Sequence, residues 1–256
     1  MVKYLFYLGL ACTSVLFMSA ADYAYRAKVA SGLSTMEFVN TYFAKEEVVT
    51  EPLPLTIAAP KVLAARELRE LADDELQQRL RAELNANPIW RKLLAEKKMS
   101  VGIVDLAEEE TAYAAVNGQH MMYAASLPKI AVLAAAHDAI ERGELQETPT
   151  IKKDMRLMIA KSNNAATTRM IDRVGFENIE RTMTDPDLKL YDPAFGGGLW
   201  VGKRYAAGGR RYPDPIKGIS HAATAEQICR YFYLLDHDKL VSPESCDKMR
   251  SYLVDP

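Results

Sequence analysis

The chain has 256 residues, 49% of them hydrophobic, which is enough for one sizeable domain with a real core plus appendages. Basic and acidic residues nearly balance, 32 against 34, and are spread evenly, so the net charge of −2 leaves no clustered basic footprint for nucleic acid. Four scattered histidines without close partners do not make a zinc site, and neither a metal nor another cofactor is expected.

The N-terminus carries the first signal. Met1-Val-Lys3 is a short positive start, and residues 4–20 follow without a charge. This is the pattern of a secretory signal peptide or of a single short membrane anchor over residues 1–21. Ser19-Ala20-Ala21 offers small residues for cleavage. A lipoprotein signal through Cys12 fits less well, because Gly9 stands where such signals carry Leu; a core helix is the remaining alternative. Either main reading places the rest of the chain outside the cytoplasm, periplasmic or secreted, with a tether to the inner membrane if the leader is kept. With Cys12 in the leader, Cys229 and Cys246 are the two cysteines left that could pair.

Residues 22–60 read as a stalk: Ser31-Gly32 interrupts it, and Pro52, Pro54 and Pro60 punctuate an extended Val- and Thr-rich linker. The domain proper is expected over residues 61–256. From Val62 the composition turns to helix formers, with Leu68, Leu71, Leu76, Leu80 and Leu84 as an apolar stripe. A surface helix packed on the domain is expected, a coiled-coil partner being the alternative. Asn87-Pro88 ends that helix and starts another through Lys98, with Asn87 as N-cap and Pro88 in the first turn.

Residues 100–106 and 111–116 read as two strands joined by an acidic turn, and Asn117-Gly118 marks the next turn. The hairpin feeds into a helix that begins around Ser126-Leu-Pro-Lys129 and ends at Gly143. On a helix the Ser126 hydroxyl and the Lys129 amine share a face. A Ser at a helix start also has backbone N–H groups beside it, suited to a developing oxyanion. Helices over 150–161 and 165–174 are separated by Ser162-Asn163-Asn164, and a short one covers 177–183. Residues 184–220 lack periodicity and carry Gly196-Gly-Gly198, Gly208-Gly209 and Gly218, so a long functional or mobile loop is expected. Thr224-Ala-Glu-Gln227 is a capping-box start for a helix through Leu235, and Ser242-Pro243 starts the last.

Ser-x-x-Lys after a hairpin, followed by Ser-x-Asn between two helices, resembles the penicillin-recognising serine hydrolases, with the nearest likeness to class A β-lactamases. The likeness covers roughly residues 98–253. It implies an α/β fold of the α+β type: an antiparallel sheet flanked by helices, plus an all-helical subdomain, with the site between them. It implies that Ser126 is the acylated nucleophile, Lys129 the base that takes its proton, Ser162 the group that protonates the leaving nitrogen, and Asn164 the holder of the substrate amide. The implied partner is a small β-lactam or a peptidoglycan-type amide, and the implied role antibiotic resistance; the likeness suggests neither a nucleic-acid partner nor an oligomeric state.

The chain departs from this pattern in several places. Asn163 stands where class A enzymes carry Asp, and the interval from Ser126 to Ser162 is short. No Glu-x-x-Leu-Asn occurs in residues 165–223, so the family's deacylating base has no counterpart; Asp192 and Asp214 are the stand-ins to weigh, each reading first as a turn residue. Lys-Thr-Gly is absent, Lys217-Gly218 lacking the middle residue, and the sequence stops where the family's last strands begin. A chain shortened at its C-terminal strands is the expectation. Two other readings stay open: a catalytically silent envelope binding module, and a D-Ala-D-Ala peptidase or esterase with the same acylation chemistry.

Overall fold

A computed structural model describes Tyr7–Leu8 and residues 66–106 and 110–254. The expected leader and stalk lie outside the described residues, apart from the strand β1 (Tyr7–Leu8). Among the described residues no helix is long and apolar enough to cross a membrane.

The stripe that begins at Leu68 does not make one helix. Leu68–Leu71 is a 3-10 turn, Ala72 is extended, and Asp73 then caps α1 (Asp74–Ala86) by accepting from the Leu76 amide at 2.7 Å. The physical reason is the cap: Asp73 in extended conformation takes an orphan N–H and restarts the backbone. Asn87 behaves as expected, accepting from Ile89 and Trp90 amides at the start of α2 (Pro88–Ala95).

β2 (Ser100–Asp105) and β3 (Ala112–Val116) pair antiparallel, with Ile103 opposite Ala114. β1 lies on the other edge of β2, Tyr7 opposite Val101. Strand alternation divides the sheet. Val101 and Ala114 join Leu80, Leu84 and Leu94 of α1 and α2 in one small core. Gly102 meets α7 (Ala225–Asp236) so closely that a Cβ there would sit 2.7 Å from Cys229 Sγ. The turn after β3 is held by Asn117, which has positive φ and donates to the Leu94 and Met99 carbonyls.

The second sheet is small. β4 (Met122–Tyr123), β7 (Trp200–Val201) and β8 (His221–Ala223) lie in the order β4-β8-β7, all antiparallel, and β5 (Tyr191–Asp192) pairs with β6 (Gly197–Gly198). Residues 184–220 are therefore short strands and turns rather than one open loop.

The main core is built around α3 (Lys129–Glu141), whose residues from Lys129 to His137 are all buried. A helix apolar all round must be enclosed on every side. Here α4 (Pro149–Ala160), α5 (Asn164–Val174), α6 (Phe176–Met183), α8 (Pro243–Val254) and β7 supply the enclosure. Gly143 ends the helix in left-handed conformation, φ 70°, with the Glu144 amide reaching back to the Ala139 carbonyl. Cys229 and Cys246 are both buried and free, so no disulfide joins them. The architecture is helices around small antiparallel sheets, an α+β fold.

Candidate active site

The turn between β4 and α3 differs from the expected helix start. α3 begins at Lys129, and residues 124–128 form a tighter turn in which the Leu127, Lys129 and Ile130 amides bond three residues back. Ser126 therefore stands ahead of the helix rather than on or capping it, and its side chain is exposed. Pro128, with no amide to offer, occupies the cap position itself. Ala125, just before the serine, has φ 47°, a left-handed conformation that costs a non-glycine residue on the order of 1 kcal/mol. Three contacts hold this strained turn: the Ala124 amide on the His221 carbonyl at 2.8 Å, the Leu127 amide on the Ala124 carbonyl at 2.9 Å, and the Tyr205 hydroxyl on the Ala125 carbonyl at 2.9 Å. Among the described residues, neither the hydroxyl nor the amide of Ser126 has a hydrogen-bond partner.

Lys129 is 2% exposed, at the buried end of α3. Its amine donates to the Ser162 carbonyl at 2.5 Å, to Ser162 Oγ at 2.8 Å and to Asn164 Oδ1 at 2.8 Å. An ammonium has three donors, and here each has an acceptor. None of the three is a carboxylate, so burial prevails and pulls the amine down from its ordinary value to about 8. Of the three acceptors, Ser162 Oγ alone can reverse its role and donate.

The acceptors come from the α4–α5 connection. α4 ends on Ser162 in left-handed conformation, φ 48°, with the Asn163 amide bonding back to the Leu157 carbonyl. Asn163 then caps α5 by accepting from the Ala166 amide at 2.8 Å, which leaves Ser162 and Asn164 on either side of it facing Lys129. The polar break read from sequence is thus both a cap and a site wall. Behind it, the buried Asp154 of α4 accepts from Arg169 and Arg173 of α5 at 2.5 Å each and ties the two helices together. Those arginines hold its carboxyl below the ordinary range.

Sequence reasoning missed two residues here. The Tyr205 ring faces the Lys129 amine, 4.8 Å from nitrogen to ring centre. His221 stacks on that ring, centroids 4.1 Å apart and planes within 12°. His221 is 2% exposed, neither ring nitrogen has a partner, and burial pushes it down to about 4, so the imidazole is neutral near pH 7. Tyr205 sits in a Gly-rich stretch without periodicity, and β8 is three residues long. No local pattern marks either.

The stand-in carboxylates are occupied elsewhere. Asp192 accepts from the Ala194 amide as the cap of a 3-10 turn. Asp214 is buried and accepts from Tyr191 Oη and the Ile216, Lys217 and Ile219 amides. Both are turn residues, as first read. Among the described residues no cluster of His, Cys, Asp and Glu could hold a metal.

A buried lysine held by Ser162 and Asn164 follows an exposed serine in a strained turn, within an α+β fold. The family model for the beta-lactamase enzyme family matches residues 76–156 and 147–255. The chain belongs to that family. Its fold is similar to the beta-lactamase from Sphaerobacter thermophilus, at 18% identity and a TM-score of 0.46, over 60% of this chain and 62% of that one. It is also similar to PBP-A, at 19% identity and a TM-score of 0.47, over 74% and 70%. A mutant of PBP-A in an acyl-enzyme complex with penicillin G gives 17% identity and a TM-score of 0.49, over 71% and 69%. The chain thus spans about three fifths of the Sphaerobacter enzyme. No protein with a curated description matches it.

Proposed function

We propose that the protein is an extracytoplasmic serine acyl-transfer enzyme of the β-lactamase type, acting on a β-lactam or a related cell-wall amide through an ester on Ser126. The observation that carries this is the Lys129 amine, buried, lowered to about 8 and held by Ser162 and Asn164. An amine titrating near neutrality is a usable general base.

The chemistry follows from the donors. In its neutral form Lys129 has two N–H groups and a lone pair. The Ser126 hydroxyl turns toward that lone pair, gives up its proton and attacks the carbonyl carbon. The oxyanion forms against the open Ser126 amide. The C–N bond then breaks, the Ser162 hydroxyl protonates the leaving nitrogen, and Lys129 returns a proton to Ser162 across their 2.8 Å bond. Asn164 spends its oxygen on Lys129, which leaves its amide nitrogen to donate to the substrate. Water must finally cleave the ester, and Asp192 and Asp214 are committed to turns, so we expect an acyl-enzyme that hydrolyses slowly.

The uncharged run over residues 4–20 supports export, with or without a retained anchor. Cell fractionation should find the protein outside the cytoplasm; recovery from the cytosol alone would refute that part. Incubation with a penicillin should add the mass of the drug to the intact protein and add nothing to Ser126→Ala. The same acylation chemistry would serve a D-Ala-D-Ala peptidase or esterase, and adducts with depsipeptide esters set against β-lactams separate the two.

A further inference from the structure

We propose that Tyr205 is a positioning residue for this site, its ring shielding the Lys129 amine from water while its hydroxyl clamps the turn that presents Ser126. The inference rests on the acylation reading for its purpose, and on geometry for its substance.

Tyr205 touches both halves of the site at once. Its ring face lies 4.8 Å from Lys129 Nζ, and its hydroxyl donates to the carbonyl of Ala125 at 2.9 Å. Ala125 is the strained residue next to the serine. A left-handed alanine persists only where its surroundings enforce it, and two of the bonds that do so come from this one part of the chain: the Tyr205 hydroxyl and the His221 carbonyl.

Tyr205 is itself backed and anchored. His221 stacks on its ring, buried and with both nitrogens unpartnered, so it presents a neutral aromatic slab rather than a charge. The neighbouring Arg204 is paired with Asp172 of α5 at 2.6 Å, and Arg211 bonds the Gly218 carbonyl and Ser220 Oγ. The segment carrying Tyr205 is thus fastened at both ends. Its apolar ring fills a face of Lys129 that no carboxylate contacts.

Two opposed effects of the ring on Lys129 set the sign of a test. The π-face favours the charged amine, and exclusion of water disfavours it. Burial lowers the Lys129 amine to about 8, and exclusion of water by the ring is proposed as the larger of the two effects. The other groups around the amine are Ser162 and Asn164 from the α4–α5 connection, neutral His221 from β8, and the phenol of Tyr205; Lys203 adds positive charge near His221. None of these supplies a carboxylate whose own titration would mimic the shift.

The measurement is the titration of Lys129 by NMR of its ¹³Cε in the substrate-free protein, beside acylation rates with a penicillin. Tyr205→Ala admits water and should raise the Lys129 midpoint by about one pH unit. Tyr205→Phe keeps the ring and its stacking but drops the clamp. It should leave the midpoint in place and slow acylation about tenfold at every pH. An unmoved midpoint in Tyr205→Ala, or an unchanged acylation rate in Tyr205→Phe, overturns the proposal. A wild-type protein that takes no adduct refutes the acylation reading instead, and the substrate-free titration still decides the shielding.

Discussion

Two parts of the molecule meet at Lys129, and they are built on different principles. Residues 122–174 deliver Ser126, Lys129, Ser162 and Asn164 from three helices and their connections, and each position is set by a cap, a turn or a buried face. Residues 184–223 supply Tyr205 and His221 from short strands and Gly-rich turns that pack against the first part. The first part carries the groups that can move protons. The second carries aromatic surface, and its Asp185, Asp192 and Asp214 carboxylates are spent on its own turns. The contrast teaches that on the proposed reading acylation draws on the first segment alone, while the segment expected to serve release presents aromatic rings to Lys129 instead of a free carboxylate.

The largest effect should come from the first part. Lys129→Ala removes the proposed base and should slow acylation of Ser126 by about 10³-fold, in stopped-flow measurement of adduct formation. A loss of under tenfold would move the base elsewhere, and with it the division between the two parts. Ser162→Ala should cost about 10²-fold in the same assay. Ser162 also holds a left-handed backbone, so Ser162→Gly separates the terms: it should match Ser162→Ala in rate and melt at a higher temperature.

Acid should act on both parts at once. His137 of α3 is buried with neither nitrogen partnered, and burial pushes it down to about 4 from its ordinary 6.5. Below pH 6.5 the unfolded chain takes up a proton that the folded one refuses. Stability is therefore full above pH 6.5 and falls as the pH drops towards 4, by about 3 kcal/mol per buried histidine. His221 titrates in the same direction. Urea unfolding at pH 7 and pH 4.5 measures the loss. His137→Leu and His221→Leu should each remove about half of it, and an acid response that neither variant changes would refute this assignment.

Asp154→Asn weakens the tie between α4 and α5 behind Ser162. Its arginines are part-exposed, so the cost should be about 2 kcal/mol rather than that of a fully buried pair. Acylation should fall with it, since Ser162 and Asn164 ride on those helices. Asp192→Ala should do least. If its carboxylate is only a cap, the lifetime of any acyl-enzyme is unchanged, and a longer lifetime would restore a catalytic carboxylate to the second part.

How legible each part is in the sequence follows from the same contrast. The first part is written in local signals: Asn117-Gly118 as a turn, the apolar run after Lys129, Gly143 as a stop, and Ser162-Asn163-Asn164 as a break. The exact start of α3 was not legible, because Pro128 suits a first turn as well as a cap, and the bonds three residues back leave no mark on composition. The same holds for Leu68–Leu71, where the apolar spacing suits either helix type and Asp73 decides. In the second part, strands of two or three residues carry no period. Tyr205 gains its place through contacts with Ala125 and Lys129, and His221 through its stack on Tyr205 and its carbonyl bond to the Ala124 amide. The partners in residues 124–129 lie roughly 80 to 100 residues away along the chain, beyond any local window.

The proposed acylation of Ser126, with Lys129 as its base, is read most directly from intact-protein mass spectrometry after incubation with a penicillin. One added drug mass is expected, located on the peptide containing Ser126, persisting for minutes or longer and absent from Ser126→Ala. A wild-type protein that keeps its unmodified mass, or an adduct that survives Ser126→Ala, would contradict it.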